Sequence, residues 1–465
     1  MRKLNIEKLL LIFIALCPIL DATSFLFREN FGLTFSPSTF ARPIIPIMGI
    51  TYIFFKYKFK LKLLIAGLIY GIYGIIHLLL FKSVITGISY GTISHEMQYI
   101  VNYTYMILNL FIYVFIFRKE NYQKLKKYIV ISIIIYILII YISIITNTSS
   151  RTYIEGMGYK GFFESGNSIS SILILSLFIL LPMIKENKKL IILIALIGIF
   201  LMFLVGTRVG LYGFILTIIA YTFTQILFSI KQKIKINKKA ILLCLTTLIG
   251  IVIIVVIFGS STMQRRKYLE SLEGNIIDNK TKESSHVTGD ILKLKEQIES
   301  AEIEESYISK PAQESILELY KISNEMNLAN TDRRMQQFIY NYCLVKNQNN
   351  ILLMLFGNGF LANYGELTLE MELPAILFNF GIIGFILYIV PFLGILMYCT
   401  YIGIKKFRKV NVEYMMLICG SYLVFALSFF AGYTFFNSST MMLIIIINVL
   451  LINETKKVRE IEWKK

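Results

Sequence analysis

Apolar runs recur about twelve times along the chain, separated by short polar segments, and one long hydrophilic stretch, roughly Gly259 to Glu372, divides the ninth run from the tenth. A helix that crosses the ~30 Å hydrocarbon layer needs about 20 mostly apolar residues, and it satisfies its own backbone hydrogen bonds. The runs fall at about 9–27, 38–55, 62–81, 99–117, 128–146, 167–184, 190–206, 209–228, 240–258, 373–401, 412–432 and 435–452. This pattern predicts an all-α polytopic membrane protein of about twelve transmembrane helices. Residues 1–258 would carry helices 1–9, residues 259–372 one large loop, and residues 373–465 helices 10–12 and a tail.

Charge sets the orientation, because loops rich in Lys and Arg are retained in the cytoplasm during insertion. With the N-terminus inside, every second loop is basic, and these inner segments hold 29 of the 47 Lys and Arg residues. Both termini are then cytoplasmic, and the 259–372 loop is extracytoplasmic. The same sorting accounts for the net charge of +18 without a nucleic-acid partner: the outer stretch holds 12 Lys/Arg against 17 Asp/Glu. No basic, aromatic-interleaved patch suited to phosphate backbones occurs there. The apolar fraction of 56% and mean hydropathy of +0.66 exceed those of a soluble domain, where roughly 45–50% is usual. Four of the five cysteines lie in apolar spans, which excludes a disulfide framework. The first span reads as a retained helix rather than a signal peptide, since it runs on through Pro18 and Asp21 without a small-residue cleavage site.

Polar groups at the outer face are where function belongs. The turn Val205-Gly206-Thr207-Arg208-Val209-Gly210 puts Arg208 at the mouth of a helical hairpin, where a guanidinium offers planar, two-pronged hydrogen bonds to phosphate or carboxylate oxygens. An interfacial anchor is the plainer reading. Ahead of the sixth span, Lys160, Glu164 and Asn167 crowd a helix entrance; Ser165 or Asn167 can cap that helix, and its free N–H groups can also hold an anion. In the long stretch, Asp290 to Asn327 carries apolar stripes on either side of Pro311, which predicts a helical hairpin on the membrane surface with a structural or partner-contact role. A helix opening on Arg333 and Arg334 follows, then a Gly-rich turn containing Gly357 and Gly359, then Glu366, Glu370 and Glu372. Glu366 and Glu370 share a face if that segment is helical.

Arginines and carboxylates gathered at the surface suit a lipid-diphosphate substrate. The cations would neutralise a leaving diphosphate, and a carboxylate would take the proton of an attacking sugar hydroxyl. His77, His95 and His286 are scattered, with no metal-binding spacing, and His77 reads as a satisfied interhelical residue.

Taken in order, "GFFESGNSISSILIL", "FLVGTRVGLYGFIL", "DRRMQQFIYNYCLVKNQNNILLMLFGNGF" and "ELPAILFNFGIIGFILYIVPFL" resemble the O-antigen ligase and polysaccharide polymerase family over roughly Gly161 to Phe392. The resemblance implies a GT-C-like bundle in a bacterial cytoplasmic membrane. It further implies a metal-independent glycosyltransferase, with no cofactor, acting on undecaprenyl-diphosphate-linked oligosaccharide. Flippase and chain-length-regulating proteins would be its further partners. Carried onto this chain, the family's diphosphate-binding arginines fall on Arg208 and on Arg333 or Arg334, and its Gly-x-Gly turn on Gly357 and Gly359. The histidine expected soon after that turn is missing; Asn363, Glu366, Glu370 and Glu372 stand there instead. That departure favours a polymerase of surface-polysaccharide repeats over a ligase, with Glu370 as the candidate base.

Two other classes remain open at this point. Twelve spans also suit a transporter or lipid-linked-sugar flippase, but only Asp21 and Arg42 are charged well inside spans, and no repeat relates the two halves. A scaffold would use the external hairpin as its contact surface and would tolerate loss of Arg208, Arg333 and Arg334.

Overall fold

A computed structural model describes residues 5–32, 36–56, 60–81, 93–153, 157–184, 187–232, 290–300, 308–328, 333–360 and 367–460 except 431, 433 and 436, with isolated residues between 242 and 268. Sixteen helices are named here in chain order: α1 (Ile6–Phe31), α2 (Pro37–Lys56), α3 (Lys60–Leu80), α4 (Ile93–Ile116), α5 (Gln123–Ile145), α6 (Gly166–Leu180), α7 (Lys188–Ile199), α8 (Arg208–Gln232), α9 (Asp290–Glu299), α10 (Lys310–Glu325), α11 (Arg333–Gln348), α12 (Ile351–Phe356), α13 (Glu372–Tyr388), α14 (Val390–Lys405), α15 (Val412–Phe430) and α16 (Ser438–Glu460). A two-stranded antiparallel hairpin, β1 (Ser150–Arg151) and β2 (Tyr159–Gly161), joins α5 to α6.

Helices α6 and α16 form the centre of the bundle. Both are apolar around most of their circumference, as a helix enclosed on all sides must be. Ser170, Ser171 and Ser176 are buried on α6, where small side chains allow close approach; Ser176 and Asn448 return hydrogen bonds to their own helix backbones. Helix α3, by contrast, exposes Leu64, Leu68, Ile72, Ile75 and Leu79 along its length, a lipid-facing stripe.

Among the described residues, eight helices are long and apolar enough to cross a membrane: α1, α3, α4, α5, α6, α8, α15 and α16. The pair α13–α14 makes a ninth if counted as one span bent by 44°. The expectation of twelve is therefore not met among the described residues. Helix α2 carries Pro43 and Pro46 within it, α7 is only 12 residues before a π-helical stretch (Phe200–Val205), and the expected span at 240–258 lies largely outside the described residues. The expected span at 373–401 is broken at Gly381, whose φ of 69° and ψ of −176° no helix contains, and it bends again at Ile389.

Side-chain contacts identify the two ends of the bundle. At the first, Lys124 pairs with Glu7 at 2.8 Å, Asn453 donates to the Phe117 carbonyl at 3.0 Å, and Lys231 donates to the Val410 carbonyl at 2.8 Å. The outer turns of α1 and α16 that carry both described chain ends thus share this end, which is also where the interhelical lysines cluster; we call it the basic end. The opposite end gathers the starts of α6, α8, α11, α13 and α16 and the finishes of α1 and α15.

Helices α10 and α11 have a small core of their own. Ile308, Ala312, Ile316, Leu319, Ile339, Tyr340, Cys343, Leu344 and Leu367 pack together apart from the bundle core. The hairpin expected about Pro311 is present as α9 against α10, with Pro311 in the first turn of α10, where its missing N–H loses no helical bond.

Candidate functional site at the opposite end of the bundle

The entrance to α6 assembles much as its residue pattern predicts. Ser165, rather than Asn167, caps the helix: its Oγ accepts the Asn167 N–H at 3.2 Å. Lys160 donates to the Glu164 carbonyl at 2.9 Å and stands over the Phe25 ring. What the sequence did not signal is Arg28. It occupies the last turn of α1, where any cation suits the helix dipole, yet its guanidinium grips both Glu164 oxygens, at 2.7 and 3.0 Å. Deeper in the bundle, Arg42 of α2 pairs with Asp21 of α1 and reaches Ser439 Oγ at 3.3 Å, while Tyr136 donates to the second Asp21 oxygen at 2.6 Å. The two charges a transport reading would have used therefore neutralise each other.

The segment from Phe430 to Ser439 links this region to the arginines of α11. Arg334 donates through Nε to Glu370 at 3.2 Å and through a terminal nitrogen to the Phe430 carbonyl. Both members of the pair are about two-fifths exposed, 42% for Arg334 and 41% for Glu370, so the pair is accessible to a substrate. The Glu370 N–H is in turn held by Gln337 Oε1 at 3.1 Å. Glu372, two residues on, is fully buried, and its two oxygens accept the N–H groups of Thr434 and Phe435 at 2.6 and 2.8 Å. A carboxylate saturated in this way shapes the segment, in contrast to its exposed neighbour Glu370. Glu366 lies outside the described residues, as do Asn363 and His286.

Gly357 and Gly359 dock their turn onto the break in α13. The Asn358 and Gly359 N–H groups donate at 2.9 Å to the carbonyls of Phe378 and Asn379, which the non-helical Gly381 releases from the helical ladder. A Cβ on Gly357 would come 2.1 Å from the Asn379 oxygen, and one on Gly381 would come 2.4 Å from the Leu355 oxygen. The close approach explains both glycines. Two buried side chains clamp the turn from the other side. His77 Nδ1 donates to the Phe356 carbonyl at 2.6 Å, His77 Nε2 meets Glu96 at 2.6 Å, and the second Glu96 oxygen accepts the Phe360 N–H at 2.9 Å. His77 is thus a satisfied interhelical residue with a definite task. Glu96 stands among polar residues, Ser94, His95 and Gln98, at the start of α4, and only its fold neighbours reveal the pairing.

Arg208 begins α8, and Thr207 caps that helix, accepting the Gly210 N–H at 3.0 Å and bonding Ser170 of α6 at 2.6 Å. Arg208 and Arg333 are exposed and make no ion pair among the described residues. Arg208 and the pair Arg333–Arg334 stand at the first turns of α8 and α11, where a cation opposes the helix dipole instead of complementing it. That placement disfavours isolated arginines and favours an anion shared between guanidinium and helix N–H groups. Among the described residues, no cluster of three or more His, Cys, Asp or Glu side chains converges on a metal-sized site.

Against this geometry, the family model described as "O-antigen ligase like membrane protein" matches residues 3–457, nearly the whole chain. The chain belongs to the O-antigen ligase-like membrane protein family. No curated protein and no solved structure matches it. The arginine-rich end of the bundle combines exposed guanidiniums, helix N-termini and an accessible carboxylate.

Proposed function

We propose that this protein polymerises undecaprenyl-diphosphate-linked oligosaccharide repeats into surface polysaccharide at the outer face of a bacterial cytoplasmic membrane, with the basic end and both termini in the cytoplasm. The observation that carries this reading is the set of three arginines at helix starts, two of them without an ion pair among the described residues and the third shared with the exposed Glu370. In the reaction, a sugar hydroxyl of one lipid-linked repeat attacks the anomeric carbon of another. The new C–O bond replaces the bond to the diphosphate, and undecaprenyl diphosphate leaves with the electron pair. Arg208, Arg333 and Arg334 neutralise that leaving group, which gains charge as the bond breaks, and so act where stabilisation lowers the barrier. Lys160 and Asn167, at the capped entrance of α6, line the approach of the lipid-linked sugar. Glu370 accepts the hydroxyl proton, and its release from Arg334 as the diphosphate binds would free it for that role.

Incubating the purified protein with host lipid-linked oligosaccharide and EDTA, then resolving products by size, tests this reading. A ladder spaced by one repeat supports a polymerase that needs no metal. A single new conjugate on a different acceptor would make the enzyme a ligase. No product from folded protein and verified substrate would end the enzyme reading.

A further inference from the structure

A cavity of about 200 Å³ lies at the opposite end of the bundle between α1, α2, α4, α6 and the start of α16. Asp21 and Arg28 both line it, and they are seven residues apart on α1. Seven residues are close to two helical turns, so the two share a face and the cavity runs about 10 Å along that helix. The charges in its wall balance, two cations against two anions, and each is taken up: Arg28 with Glu164 at the rim, Arg42 with Asp21 deeper in. A diphosphate entering here would have to break both pairs and would then face two released carboxylates. An anion site is therefore the wrong reading of these residues.

The unused capacity is neutral. Asn102 is exposed, lines the cavity from an apolar helix, and has no hydrogen-bond partner among the described residues. Its amide is open to a polar ligand. Asn437 spends its Oδ1 on the Ser439 and Thr440 N–H groups at 3.1 Å each and keeps its amide N–H donors. Ile169 and Ile172 of α6 complete the lining with an apolar wall. Amide groups on two sides of the cavity beside an apolar patch match a sugar ring, with its hydroxyl edge and C–H face. The volume is below the ~300–1,000 Å³ of pockets that enclose drug-sized ligands, which suits one ring of a longer glycan.

We propose that this cavity is the subsite for a terminal, neutral glycosyl ring of the acceptor repeat. The inference rests on the glycan-transfer reading above and adds where the acceptor is held. Continuity supports it: Asn437 and Ser438 line the cavity, and the same segment begins at Phe430, whose carbonyl takes the Arg334 guanidinium. An acceptor sugar in the cavity would thus lie one short segment from the arginines that would hold the donor diphosphate.

The test uses full-length protein in detergent and two probes: lipid-free repeat oligosaccharide released from the host polysaccharide, and undecaprenyl diphosphate without glycan. Binding is read by saturation-transfer NMR titration for wild type, Asn102→Leu and Asn102→Gln. Losing the amide should weaken oligosaccharide binding about tenfold in Asn102→Leu, with undecaprenyl diphosphate binding unchanged and Asn102→Gln close to wild type. When the oligosaccharide serves as acceptor, Asn102→Leu should raise its KM and leave the KM of the lipid-linked donor alone. Equal oligosaccharide binding in all variants, or a matched loss of both probes, would overturn the proposal. Oligosaccharide binding that depends on Asn102 without any ladder would uphold the subsite and sink the polymerase reading; a wild-type ladder from Asn102→Leu with full oligosaccharide binding would do the reverse.

Discussion

At the basic end, Lys124 meets Glu7, Lys126 meets Glu413 and Lys231 meets a backbone carbonyl, each ammonium serving as a single point of charge between helix ends. At the opposite end the interhelical cations are arginines, and each is used as a fork: Arg28 on both oxygens of Glu164, Arg42 between Asp21 and Ser439, Arg334 between Glu370 and the Phe430 carbonyl. Lysine suffices where charge only has to stay out of the membrane and pin helices. A planar guanidinium is needed where several oxygens must be held in fixed positions. The contrast separates charge used singly from charge used as a fork.

The largest effect that could break this comparison is on activity. Arg334→Ala and Arg208→Ala should each slow polymer formation by about 100-fold or more, as loss of a preorganised transition-state partner does, whereas Lys124→Ala should leave the ladder unchanged. Initial rates from gel-resolved product decide the matter, and equal loss at both ends would erase the distinction. Arg208→Lys should not rescue, because the ammonium lacks the fork.

Backbone geometry comes next. Gly381→Val puts a branched side chain at a φ of 69° and 2.4 Å from the Leu355 oxygen, and should cost about 3 kcal/mol or more in thermal unfolding in detergent. Gly394→Ala, where an added Cβ meets nothing within 4 Å, should be neutral or mildly stabilising. Glu372→Ala strips two buried N–H groups of their acceptor and should cost about 2–4 kcal/mol. A Glu372→Ala protein of undiminished stability would mean that the 430–439 segment is held by something else.

The smallest effects test whether the residue type or the location matters. Lys346 and Glu318 pair across α10 and α11, outside the bundle but through a lysine. The hydrogen bond from Lys346 holds the Glu318 carboxyl below its ordinary value, so the folded protein binds fewer protons there than the unfolded chain. The stabilisation is present above the unfolded carboxyl's ~4.3 and is lost as pH falls through the folded value. Acid titration of α10–α11 unfolding should show this step in wild type and lose it in Glu318→Gln. Beneath the pair, burial pushes the Cys343 thiol up to about 11; at pH 8 only about a thousandth of it is thiolate, so maleimide labelling should be slow until the α10–α11 core opens.

Much of the fold could be read directly from the residue pattern. Long apolar runs admit no other structure in a bilayer, and basic clusters at alternate loops order their ends. The hairpin about Pro311 was legible for the same local reason. The count of twelve spans is not confirmed among the described residues, since most of 240–258 lies outside them and Gly381 breaks α13 in a way that average hydropathy does not register. Of the site residues, Arg208, Arg333 and Arg334 stood out by breaking the charge trend. Arg28 and Glu96 did not, since each looks locally like an ordinary helix-end or stray charge, and Arg42 stood out only as a charge inside a span.

Composition and periodicity by themselves determined that this is a helical membrane protein, where its charges gather, and which arginines stand at helix starts, because those properties depend on each segment's own contact with lipid and water. Only the tertiary structure decided that Arg28 reaches Glu164 across 136 positions, that Glu96 clamps a turn 264 positions away, and that Glu372 is shielded while Glu370 is open. Those pairings depend on which helices pack side by side, and nothing local in an apolar span specifies its neighbour.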